Sequence, residues 1–276
     1  RKVSAAMLTS LVAATRSELV RIRRKGVVLG WFGLTALAAV LINAVMFQVA
    51  GGDPAGTPAG GPGVSFPTAA DLASSDGLVA GLASAASMFG VVTLSFWALI
   101  TATDYGTGLI RLLAAAQPHR WRLLTGKIVA LVLWTAAATT VALLVNLIVA
   151  PIAAGGSGID VSAWGEDLVP TLLGGWVNLF CALLVWGVIG MALAVVTRSA
   201  AIAISAGVGY VLVVESVITA AAEKLGERLP GTTLAALAQG GTPEVSYGAA
   251  LALGAVYTVA AVAVALTVFT RRDITD

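Results

Sequence analysis

The sequence predicts an all-α integral membrane protein with six transmembrane helices and both termini on the cytoplasmic side. Three observations lead there. The first is composition. Of 276 residues, 58% are hydrophobic and 11% charged, whereas a soluble domain carries about 25% charge. Mean hydropathy is +0.95. The second is a set of six apolar stretches, 26–50, 78–103, 127–154, 169–196, 199–222 and 246–270. Each is long enough to cross a hydrocarbon core, which takes about 20 residues of helix. The third is the placement of Lys and Arg. Fourteen of the 16 basic residues fall on one side of this six-span layout, and only Lys224 and Arg228 fall on the other. The positive-inside rule makes the first side cytoplasmic.

These observations exclude other classes. A cytosolic enzyme would need more charge to cover its surface. The 31 glycines have no period, so the chain is not collagen-like. A membrane β-barrel would show short alternating strands, and none are present. The single cysteine, Cys181, excludes an internal disulfide framework and a cysteine-based metal site, and the single His119 excludes a two-histidine cluster. No bound cofactor or metal is therefore expected in this chain, nor a nucleic-acid partner. One transmembrane domain, 1–276, accounts for the whole sequence.

Taken in order, residues 2–24 read as an amphipathic helix on the cytoplasmic face. Val3, Met7 and Leu11 recur at helical spacing, and Leu8, Val12, Leu19 and Ile22 extend the stripe. The basic run 21–25 suits anionic headgroups. The apolar run that follows is too long for a signal peptide and has no clear A-x-A site after it, so it reads as a retained first helix. The segment 51–76 is rich in Gly, Pro and Ala and reads as an irregular external loop. Gly77, Gly81 and Ala85 then set a small-residue ridge suited to close helix packing. The third span is expected to break near Pro151, before Gly155, Gly156 and Gly158. The segment 223–244 is polar and then apolar over 233–238. That run is too short to cross, so it reads as an external or re-entrant helix.

The external loops are acidic: Asp53, Asp71, Asp76, Asp160, Glu166, Asp167, Glu223, Glu227 and Glu244. Within the spans the only charges are Lys127, which opens the third, and Glu215. A charge at the bilayer centre costs about 2.5–3.5 kcal/mol, so Glu215 should face protein or a wet cavity. Two readings stand: a hydrogen-bonded or protonated carboxylate near the outer interface, or a group on a substrate path. Asn43, Asn146 and Asn178 can hydrogen-bond between helices; Asn43 and Asn178 are also candidates for lining such a path. Trp31, Trp121, Trp164 and Trp176 fit an aromatic belt.

The sequence contains no G-x-x-x-x-G-K-[ST], no H-E-x-x-H and no G-x-S-x-G, so catalysis by this chain itself is not expected. The cytoplasmic stretch 104–127 is the informative one. Asp104 can cap a helix whose apolar face holds Ile110, Leu113 and Ala114, and Pro118 stops it.

Asp104-Tyr105-x-Thr107-Gly108-x-x-Arg111, then Pro118-x-Arg120, then Gly126-Lys127, resembles the first cytoplasmic loop of ABC-2 type transporter permeases. The family usually carries Glu where this chain has Asp104. The ending Phe269-Thr-Arg-Arg-Asp273-Ile274 also resembles the C-termini of such permeases. The resemblance implies the transmembrane subunit of an ATP-driven exporter in a bacterial cytoplasmic membrane. Such a subunit moves a lipid, peptide, drug or other amphiphile outward by alternating access. It implies a separate ATP-binding subunit, holding ATP and Mg, and a second permease subunit, giving a homodimer. It makes 104–116 a short coupling helix between the second and third spans. Asp104, Tyr105, Thr107, Gly108, Arg111 and Arg120 would then be the ATPase-coupling residues, and 223–244 an external helical cap. The alternative is a stand-alone secondary transporter or channel that uses Glu215.

Overall fold

A computed structural model describes residues 2–23, 25–52, 64–108 and 120–271. Among them every regular element is helical. In chain order these are α1 (Lys2–Ile22), α2 (Lys25–Ala50), α3 (Ala69–Ala73), α4 (Gly77–Ser84), α5 (Ala86–Gly106), α6 (Arg120–Ser157) and α7 (Leu168–Thr197). Then follow α8 (Ala200–Gly209), a π-helical turn (Tyr210–Glu215), α9 (Ser216–Ala221), α10 (Glu223–Gly226), α11 (Pro230–Gln239) and α12 (Tyr247–Arg271). Six helices among the described residues are long and apolar enough to cross a membrane: Gly26–Ala50, Ala86–Gly106, Leu123–Ser157, Leu168–Thr197, Ala200–Ala221 and Tyr247–Arg271. The chain is a multi-pass membrane protein.

Three sequence expectations are corrected. The second apolar stretch is not one helix. It divides at Ala85, whose φ of −109° and ψ of 21° interrupt the ladder between α4 and α5. The break lets α4 pack on α2 and α6 while α5 turns onto α7. The third span does not break at Pro151: α6 runs unbroken for 38 residues. A proline removes one backbone hydrogen bond, which a helix packed among others can tolerate. Here Ala150 and Ala154 on either side are fully buried in a cluster with Phe47, Leu72 and Trp164. The segment 51–76 is not irregular throughout. Thr68 and Asp71 form a reciprocal capping box that starts α3: Asp71 N–H donates to Thr68 Oγ1 at 3.1 Å, and Thr68 N–H donates to Asp71 Oδ2 at 2.8 Å. Within this segment, residues 53–63 lie outside the described residues.

The small-residue ridge on α4 is used. A Cβ on Gly81 would sit 3.2 Å from Asn43 Oδ1 on α2. One on Gly77 would overlap the Leu72 carbonyl. The tightest packing joins α5 to α7. Trp186 lies over Gly90, Trp97 lies over Gly187, and Gly190 takes the Leu94 backbone. Trp97 Nε1 also donates to Thr135 Oγ1 on α6 at 3.0 Å. The expected aromatic belt is only partly one. Trp31 is buried and stacks on Phe96 with centroids 3.8 Å apart, and Trp164 is buried with its Nε1 on the Leu72 carbonyl at 2.8 Å. Both are packed inside the protein rather than at a headgroup layer; the Trp164 N–H is satisfied there, while the buried Trp31 N–H has no partner among the described residues. Trp121 is exposed, while Trp176 donates to Thr140 Oγ1 at 3.1 Å. Cys181 is half-buried and packs against the main core.

Candidate functional site

Four ionised side chains converge where α1, α5 and α6 meet. Glu18 and Arg21 come from adjacent turns of α1, Asp104 from the last turn of α5, and Lys127 from the third turn of α6. They form a closed ring of alternating sign. Arg21 Nη1 lies 2.6 Å from Glu18 Oε1, and Arg21 Nη2 lies 2.5 Å from Asp104 Oδ1. Lys127 Nζ lies 2.7 Å from Asp104 Oδ2 and 3.0 Å from Glu18 Oε2. Glu18, Asp104 and Lys127 are buried; Arg21 keeps 29% of its side chain in solvent. Each charge has two partners of opposite sign, so the ring is neutral as a unit. An uncompensated charge at such a place is strongly destabilising.

The backbone is arranged to let the ring close. A Cβ on Gly126 would lie 2.9 Å from Ala14 Cβ, so glycine there allows α1 to lie directly on the start of α6. Ile22, one residue past Arg21, is buried with Leu124, Leu131 and Phe269. At the other end of the loop, Thr107 N–H and its hydroxyl both return to the Thr103 carbonyl, and Gly108 adopts φ +69°. A left-handed glycine just past a helix end is a common way to stop it.

The structure therefore accounts for several residues of the sequence motif. Asp104, Gly126 and Lys127 all dock α1, and Thr107 and Gly108 terminate α5. Asp104 does not cap a following helix as expected. It sits inside α5, and its carboxylate is taken by two cations. Tyr105 is half-buried and packs beside the same core as Ile22. The rest of the expected coupling helix, with Arg111, lies outside the described residues, as do Pro118, His119 and the Arg120 side chain. Glu18 is the residue that sequence reasoning missed. The signal was present: it is the only acid in the first 50 residues and stands three before Arg21. A lone acid in a basic amphipathic helix reads as a solvated residue.

The residues assigned to a path are not brought together. Glu215 is fully buried, and its carboxylate accepts from Gly231 N–H at 3.0 Å and Thr232 N–H at 2.9 Å. It thereby caps the N-terminus of α11, where orphan backbone donors and the helix dipole both favour a carboxylate. Pro230 opens α11, and Gly240, at φ +76°, closes it. The short apolar run is thus a helix, buried along most of its length against α7 and α12. Asn43 is fully buried and donates to the Ala39 carbonyl within its own helix. Asn146 donates to the Leu78 carbonyl at 2.7 Å and ties α6 to α4. Of the path candidates, Asn178 reaches a cleft. It accepts from the Tyr247 hydroxyl at 2.7 Å and lines a cleft of about 900 Å³ at the end of the bundle opposite the ion ring.

Residues 36–275 match the model of a family described as protein of unknown function (DUF2705). The chain belongs to the DUF2705 family. The matched span takes in α5, α6 and the three membrane-spanning helices that follow, so both ends of the loop that closes on the ring belong to the family region. All of α1, which brings Glu18 and Arg21, precedes the match in this DUF2705 chain. No curated protein and no solved structure matches it.

Proposed function

We propose that this chain is the permease subunit of an ATP-driven exporter, with both termini in the cytoplasm of a bacterial cell and the ATPase on a separate chain. One observation carries the reading. Residues that mark the resemblance to ABC-2 permeases at both ends of the loop, Asp104 before it and Gly126-Lys127 after it, meet on one helix, α1. A cytoplasmic partner that grips this loop would then push on α1, α5 and α6 as one body, because the buried ring resists their separation. The six membrane-spanning helices and the short buried α11 before the last of them accord with the same reading. In this reading two copies pair around the transport path, and the substrate is an amphiphile moved outward by alternating access.

The stand-alone carrier has less support. It would need Glu215 for a coupling ion, and that carboxylate already accepts two backbone N–H groups. The test is purification of the tagged chain in mild detergent, with mass spectrometry and an ATPase assay. A stoichiometric Walker A protein with vanadate-sensitive hydrolysis is the expected result. A chain that purifies alone, and that reconstitutes transport without ATP, would overturn the proposal.

A further inference from the structure

The cleft at the end opposite the ion ring has a chemistry of its own. Its volume, about 900 Å³, falls in the range of pockets that hold drug-sized molecules. Its floor is made of small residues, Ala80, Ala83, Gly174 and Gly175. It reaches inward as far as Asn178, ten residues along α7, or about 15 Å at the helical rise. Much of it therefore lies at membrane depth.

Its charge is of one sign. Asp71, Asp76 and Asp167 all line it, and no Lys, Arg or His does among the described residues. The C-terminal end of α11, Ala238–Gly241 in sequence, forms another wall, and the negative end of a helix dipole adds to the same field. Deep in the wall stands Ser84, only 4% exposed, whose hydroxyl has no hydrogen-bond partner among the described residues. That hydroxyl opens onto the cleft, where a polar group on an occupant can take the place of water.

The acids are not gathered as metal ligands. No three carboxylates, cysteines or histidines among the described residues stand close enough to hold a metal ion. Asp71 is partly engaged by the Thr68 cap, and Asp76 accepts from Thr171 Oγ1 at 3.0 Å. Charges spread over a wide, half-apolar cleft suit one large ion with diffuse charge rather than a compact one.

We infer that this cleft binds an organic cation, an amphiphile carrying an ammonium, phosphonium or guanidinium group. The site itself rests on the cleft alone. Only its naming as the exporter's substrate site rests on the transport reading above, and the experiment needs no ATPase. The full chain is purified in detergent and titrated with tetraphenylphosphonium, followed by quenching of tryptophan fluorescence. The uncharged tetraphenylmethane-like analogue and tetraphenylborate serve as shape-matched controls.

Saturable binding of the cation is expected, weakened by salt, with no saturable binding of either control. Asp167→Asn is tolerated at its left-handed backbone position, and with Asp76→Asn it should weaken the cation at least tenfold. Circular dichroism and an unchanged melting midpoint report that the double variant is folded. Equal binding of cation and neutral analogue, or equal cation affinity in wild type and a folded double variant, would overturn the inference. Filling the floor with Ala83→Leu provides a second route: it should abolish binding without altering charge, and retained affinity would also count against the site.

Discussion

Replacing Lys127 with Gln removes one charge from the ring and leaves Glu18 and Asp104 to share Arg21. The lost ammonium makes two contacts, at 2.7 and 3.0 Å. At an effective dielectric of 20, a single such contact is worth about 5–6 kcal/mol of gross Coulomb attraction. Desolvation takes back a large part, and breaking one partner of a buried pair costs about 3–5 kcal/mol by measurement. Arg21 is partly in solvent and is the remaining counter-charge, so the lower figure, about 3 kcal/mol, is the better expectation. The loss falls on the docking of α1, because Glu18 is its ionic anchor. An opening equilibrium shifted by that amount changes about 100-fold. The reporter is Ile22→Cys in a Cys181→Ala background, since Ile22 is 3% exposed and buried beside the ring. Its maleimide labelling rate should rise about 100-fold in Lys127→Gln under conditions where opening and closing are fast relative to labelling. The double variant Glu18→Gln with Lys127→Gln keeps a neutral Arg21–Asp104 pair and should label only about tenfold faster than wild type, less than the product of the two single effects. Strict additivity of the two substitutions, or an unchanged labelling rate in Lys127→Gln, would refute the ring as the clasp of α1.

Two further expectations concern packing. Glu215→Ala strips the cap from α11 and leaves the Gly231 and Thr232 N–H groups buried, which should cost about 1–3 kcal/mol. Gly231→Ala should cost a comparable amount with the charge intact, because the new Cβ would lie 2.6 Å from Glu215 Oε1. Thermal unfolding in detergent checks both, and a stable Glu215→Ala protein would show that α11 does not depend on its cap. Gly187→Ala would place a methyl 2.5 Å from Trp97 Cε2, and overpacking of this kind costs about 1–3 kcal/mol. A smaller loss in Gly187→Ala with Trp97→Phe, where the neighbour has shrunk, is expected in the same assay.

The membrane-spanning plan was legible because length and the absence of charge are properties of contiguous sequence. What stayed hidden depends on partners far along the chain. Ala85 carries no proline or glycine signal; the break there follows from α4 and α5 having different neighbours. Pro151 carries a strong signal, yet the packing of Ala150 and Ala154 keeps α6 whole. Glu215 was readable as a charge in need of a partner, but its partners are backbone N–H groups of residues 231 and 232, which are aimed at it and left without other acceptors only once α11 forms. The motif around Asp104 gave no sign that its carboxylate would meet α1, and the reason for the glycine at 126 became visible only with α1 against it.

The interlock of α5 and α7 limits how this bundle can move. Two tryptophans point in opposite directions across the interface, each into a notch left by a missing side chain on the other helix. Advancing one helix by a single residue, about 1.5 Å, drives both rings out of their notches at once. Sliding along the axis is thereby blocked in either direction, while a tilt of the two helices together leaves every tooth seated. Any working stroke must then be angular rather than axial, with its pivot outside the pair. Ala85, where the backbone already departs from the helix directly above α5, is the joint the fold provides.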